Sequence, residues 1–225
     1  MSTQRLFSVT TGIGAMFRAA AIVREERRLR RAVRHMPRPV TWDWAGPRIL
    51  PLLAGPHLDQ PGEEIVRAVA DLGCALEFGI LMSGVLVLVD RPVAERWECS
   101  GDQIHDVAMA NLRRRAARLT PADVTRGTMS GRIVSQLRRT PPWASSLLLL
   151  PQELVRLFGP EDQIFGAPAR DILVSFRIDT PPEVVADIVV DIETSQIYPL
   201  WLDPFILEHE IVRWAGTFVD DDAWA

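Results

Sequence analysis

Residues 163–176, QIFGAPARDILVSF, constrain the fold more than any other stretch of the chain. Two apolar runs, Ile164-Phe165 and Ile172-Leu173-Val174, flank the link Pro168-Ala169-Arg170-Asp171. Short apolar, β-branched runs read as buried strand. Pro168 lacks an N–H for a ladder and forces a break or an edge within the stretch. Arg170 and Asp171 are therefore expected at a strand junction in the core region, where charges must be paired. Two readings follow. Either the pair belongs to an internal ion-pair or turn-capping network, or Arg170 binds an anionic group while Asp171 orients it or acts as a base.

The surrounding pattern is that of an α+β protein with a mixed or antiparallel sheet, helices packed on it and an N-terminal helical extension. Residues 63–216 read as its single α+β domain. Pro61 opens a helix whose stripe is Ile65, Val66, Val69 and Leu72, ended by Gly73. Ile80 to Val89 reads as a strand interrupted by Gly84, and Asp90-Arg91-Pro92 as a turn. Ser100 and Gln103 have the spacing of a capping box at the start of a helix over 100–119. Its apolar face carries Ile104, Val107, Ala108 and Leu112, with the amide of Asn111 among them. A buried amide needs partners, so Asn111 either ties the helix to a neighbour or lines a pocket. Residues 120–144 are expected to form a long loop or irregular hairpin, and 147–150 a strand or the start of a helix. A short helix follows over 151–158. Thr180 and Glu183 have the spacing of a second capping box, and residues 205–214 read as a last strand. Strands 85–89 and 172–176 are expected in one sheet beneath the helices 103–119 and 183–196. Asn111, Arg170 and Asp171 are all expected to be buried.

Charge divides the chain unevenly. All 25 basic residues are Arg, and residues 1–38 hold nine of them against Glu25 and Glu26, a balance of +7 that leaves −11 for the remainder of a chain of net charge −4. Residues 14–35 read as a basic helix, with Arg24, Arg27, Arg28, Arg30 and Arg31 as candidates for an anionic membrane surface or a nucleic-acid backbone. The alternative is a solvated helix docked through Met16, Ala20, Val23 and Leu29. A connection with six prolines in residues 36–62 is expected to divide residues 1–38, as a separable extension, from the domain, with Trp42 and Trp44 pinning it to the core. Residues 217–225 form an acidic tail.

The search for chemistry selects no catalytic residue, metal site or cofactor. Cys74 and Cys99 lack metal-ligand spacing and suit a reducing cytoplasm, where the protein is expected. The N-terminus lacks a signal peptide's compact apolar core. Ser145-Ser146 has no G-x-S-x-G around it, and His35, His57, His105 and His209 lack metal spacing. Thr11-Gly12-Ile13-Gly14 lacks the Lys of a phosphate loop.

WECSGDQIHDVAMANL at Trp97 to Leu112, ASSLLLL at Ala144 to Leu150, PARDIL at Pro168 to Leu173 and Tyr198-Pro199-Leu200 stand in an order and spacing that resemble an uncharacterised bacterial family typified by YtpQ, a domain of unknown function. The resemblance covers about Val85 to Trp214 and implies no activity, cofactor or catalytic residue. The expected function is non-catalytic binding of another protein, as an adaptor, regulator or immunity-type protein. The alternatives are an enzyme or small-molecule binder with an anion site at Arg170 and Asp171, and attachment to membrane or nucleic acid through the arginine helix.

Overall fold

The computed structural model describes residues 22–54, 67–69, 72, 74–137, 142–196, 199–200 and 202–215. The helix proposed over 61–73 falls mostly outside them, as do Thr11 to Gly14, Met16, Ala20, His57, Tyr198 and the acidic tail. Within its span, residues 67–69 form a strand.

Two antiparallel sheets succeed one another along the chain. The first is built from β1 (Ile49–Ala54), β2 (Arg67–Val69), β3 (Cys74–Met82) and β4 (Val85–Leu88). β3 is central, with β1 along one side and β2 and β4 sharing the other. The run read as one strand over 80–89 is thus a hairpin. It turns at Ser83-Gly84, both at positive φ, where Gly84 is free of the penalty a side chain meets. The second sheet contains β5 (Val124–Met129), β6 (Arg132–Leu137), β7 (Gln163–Ala169), β8 (Ile172–Arg177), β9 (Phe205–Glu208) and β10 (Ile211–Trp214), in the order β10-β9-β7-β8-β6-β5. Residues 85–88 and 172–177 therefore lie in different sheets, against the expectation that they share one. Both are apolar enough to need cover, but apolarity does not say which strands pair.

Helices complete the layers. Residues 22–34 are helical (α1), followed by α2 (Trp42–Ala45) and a 3₁₀ turn over Gly46–Arg48. Then come α3 (Arg91–Glu95), α4 (Gly101–Ala116), α5 (Pro151–Phe158) and α6 (Pro182–Thr194). No helix among the described residues is long and apolar enough to cross a membrane. The main core lies between the sheets: Leu50, Leu52, Leu53 and Leu76 meet Phe165, Leu173, Phe205 and Leu207, with α5 and a 3₁₀ helix over Ala144–Leu149 filling the gap. One face of α4 joins this core through Leu112 and Ala116, and another packs Ile104 and Ala108 against Ile49, Phe78 and Ile80. α6 covers the far face of the second sheet, with Val185, Ile188 and Val189 on Ile164, Val174 and Phe176.

Several local expectations change. β1 runs through the proline-rich stretch that read as irregular connection, and all six of its residues are buried. It tolerates Pro51 because it is an edge strand, so the missing N–H breaks no ladder. Residues 124–137 form a regular hairpin, and 144–149 a 3₁₀ helix. Asp90 caps α3, its carboxylate accepting from the Val93 N–H at 2.9 Å, where a turn was expected. The box at Ser100 and Gln103 forms, both bonds present. The one at Thr180 does not: α6 starts one residue later, so the N-cap falls on Pro181, which has no side-chain oxygen. Residues 205–214 are a hairpin turning at His209-Glu210, both at positive φ.

Candidate functional site

Asn111 and Arg170 serve different joints. Asn111 leaves the inner face of α4 and is buried. Its amide donates to the carbonyl oxygens of Gly46 at 2.7 Å and Ile49 at 2.8 Å, where the 3₁₀ turn enters β1. The Gly46 carbonyl also accepts from the Ile49 N–H that closes the 3₁₀ turn, so Asn111 adds a second donor at the point where the turn passes into the strand. Asn111 Oδ1 accepts from Arg114. Both amide N–H groups and the oxygen are thereby used, and α4 is tied to the first strand.

Arg170 sits in the turn between β7 and β8, after an irregularity in their register between Gly166 and Ala169. Pro168 falls inside that irregularity, in keeping with its lack of an N–H. The guanidinium reaches the other sheet and donates to Glu77 in β3 at 2.5 Å. The Glu77 side chain is 4% exposed and that of Arg170 27%. Around this pair the main chains also join: Ser145 donates to the Arg170 carbonyl through its N–H at 3.1 Å and its hydroxyl at 3.3 Å, and the Ser146 hydroxyl donates to Pro51 O at 2.8 Å. The 3₁₀ helix is thus stitched to both sheets. Ser145 and Ser146, buried donors, have structural partners rather than a catalytic base. Arg170 Nε and Trp143 Nε1 are buried donors without a hydrogen-bond partner among the described residues.

Asp171 is exposed in the same turn and has no partner among the described residues, against the expectation that it would be buried beside Arg170. A tight turn points successive side chains apart, and only Arg170 is long enough to cross to the other sheet. The structure therefore does not bring Asn111, Arg170 and Asp171 into one cluster. Glu77, the missing member of the Arg170 pair, stands 93 positions away, and no local pattern announced it. Its one sequence signal is a lone carboxylate within the apolar run LEFGILM.

The proposed surface arginines Arg24, Arg27, Arg28, Arg30 and Arg31 are all exposed. Arg28 pairs with Glu25 at 3.5 Å and Arg30 with Glu26 at 2.6 Å. Among the described residues no group of three or more His, Cys, Asp or Glu could hold a metal. Burial pushes the Cys74 thiol up to about 11, and that of Cys99 is raised by the same cause.

A second feature emerges from the strand registers. Ser135 faces Ser175, so continuing the ladder sets Ile133 level with Arg177. Arg177 faces Gln163, Gln163 faces Leu207 and Leu207 faces Val212. Ile133, Ile178 and Ile211 accordingly all stand at one end of the second sheet, at 62%, 42% and 64% exposure. Four strand spacings separate β6 from β10, about 19 Å. The Arg177–Asp179 pair lies between them at 3.0 Å, and the hydrogen bond from Arg177 holds the Asp179 carboxyl below its ordinary value. Spacing along the sequence could not have shown this rim, because it depends on which strands are neighbours.

No family model matches the chain, and neither a curated protein nor a solved structure matches it.

Proposed function

We propose that the chain is a non-catalytic cytoplasmic binding protein and that its partner, another protein, docks on the isoleucine rim of the second sheet. The rim carries the reading: Ile133 on the face of Leu207 and Val212 and Ile211 on the opposite face, with Ile178 and the Arg177–Asp179 pair between them, put three exposed aliphatic side chains around one end of the sheet, where a partner that wraps this end buries them. The internal partners of the Asn111 amide and of Arg170 Nη2 support it, since those groups are already bonded within the fold. The likeness to YtpQ-type proteins belongs to the same proposal and supplies no activity.

The test is photo-crosslinking in cells, with a photoreactive residue placed at position 211 or, as a control, at exposed Val190 on α6. A discrete protein adduct from 211 alone, lost when Ile133→Asp and Ile178→Asp are added, is the expected result. Equal adducts from both positions, or none from either, would overturn it. The small-molecule alternative, with an anion at Arg170, would take its place if a metabolite raised the melting temperature of the wild type but not of Arg170→Gln.

A further inference from the structure

We infer that α1 is a docking bar for an anionic bilayer, formed by Arg24, Arg27, Arg31 and Arg34. Three- and four-residue spacing puts these four on one helical face. All four are exposed, and none has an ion-pair partner among the described residues. The helix acids Glu25 and Glu26 neutralise Arg28 and Arg30 instead.

The other side of the helix is held by the protein. Glu25 and Leu29 are half-buried, Ala32 is 4% exposed, and Met36 just beyond the helix packs on the cluster of Ala45, Ile49 and Phe78. Arg28 reaches the β3–β4 turn at Gly84. The arginine face is thus turned away from the body on a braced element, so presenting it to a surface requires no ordering step.

Two observations select a membrane over a polynucleotide. Val23, 45% exposed, flanks the arginine face one turn before Arg27, and its aliphatic side chain suits the boundary between headgroups and acyl chains, whereas the exposed Ile22 and Val33 lie toward the other side of the helix. The remainder of the chain carries −11 against +7 for residues 1–38. A planar anionic leaflet meets the helix and leaves the acidic body in water, whereas a long polyanion following the stripe would run on against like charge. Each arginine near such a leaflet contributes roughly fivefold to partitioning, and salt screens the attraction.

The experiment is sedimentation of the full chain with vesicles of phosphatidylcholine, with or without phosphatidylserine, at low and high salt. Binding to the serine-containing vesicles alone, weakened by salt, is expected. Combining Arg24→Gln, Arg27→Gln, Arg31→Gln and Arg34→Gln should lower it by roughly 600-fold with an unchanged melting curve. A control of equal charge, with the exposed Arg91, Arg113, Arg126 and Arg132 changed to Gln, should bind as the wild type does. Absence of wild-type binding, equal loss in both variants, or tighter binding to duplex DNA or RNA at the same salt would overturn the inference.

Discussion

Removing the Arg170 guanidinium takes a counter-charge away from the buried Glu77 carboxylate. Breaking such a pair costs about 3–5 kcal/mol when both members are fully buried. Because Arg170 is partly exposed, Arg170→Gln is expected to lose about 2–3 kcal/mol in urea unfolding. Adding Glu77→Gln should recover part of that loss, since the carboxylate that Arg170 neutralised is then gone. A single variant as stable as the wild type would remove the pair from the account of how the sheets join. Cys74 offers a second measurement. With its thiol raised to about 11 by burial, less of it is thiolate near neutral pH, so alkylation should be slower by on the order of a hundredfold than for an unperturbed cysteine. The linkage has one sign: the raised folded value favours the fold below the unfolded pKa, and this contribution falls as pH rises through 9 toward 11. Asn111 was legible as a residue needing partners because an amide interrupted an apolar helical face. Glu77 was not, because its counter-charge is distant in sequence and a single acid in a strand reads equally well as its solvent side.

Among the elements, α6 and α4 give the clearest tests. α6 lies so close to β7 that a Cβ on Gly166 would come within 2.5 Å of Val189 Cγ2 and 3.2 Å of Val174 Cγ2. Valine side chains have little rotamer freedom to yield, so Gly166→Ala should destabilise by about 1–3 kcal/mol, read from the thermal midpoint. Ser100→Ala removes one half of the α4 capping box and should lose about 1 kcal/mol. The α4 signal was strong because a cap is local, whereas the same spacing at Thr180 failed on a one-residue shift between two prolines. β1 was hidden for the opposite reason. The prolines in and around it signal a loop, and its place on a sheet edge, which makes Pro51 harmless, is a property of the folded neighbours. Sheet assignment, like the isoleucine rim, depends on pairing between distant segments and could not be read from apolar runs.

At the scale of the molecule, the expectation that residues 1–38 can be removed now meets Ala32 and Met36 packed at the foot of α1. The Trp97 indole also donates to Val40 O at 2.9 Å, holding the segment just beyond. Deleting 1–38 should preserve a cooperative melt but lower its midpoint, through lost burial of about 2 kcal/mol, or roughly 4–8 °C for a chain of this size. An unchanged midpoint would show that the helix contributes nothing to the core.

The succession of the two sheets along the chain also sets an order of events at the ribosome. β1 to β4 are complete by Leu88, but the strands that cover Leu50, Leu52, Leu53 and Leu76 are finished only at Leu207. At about 5–20 residues per second, that leucine face stays incompletely covered for roughly 6–24 s of synthesis, long enough for a nascent-chain chaperone to hold it. The Arg170 that will clasp Glu77 is made late in the same interval.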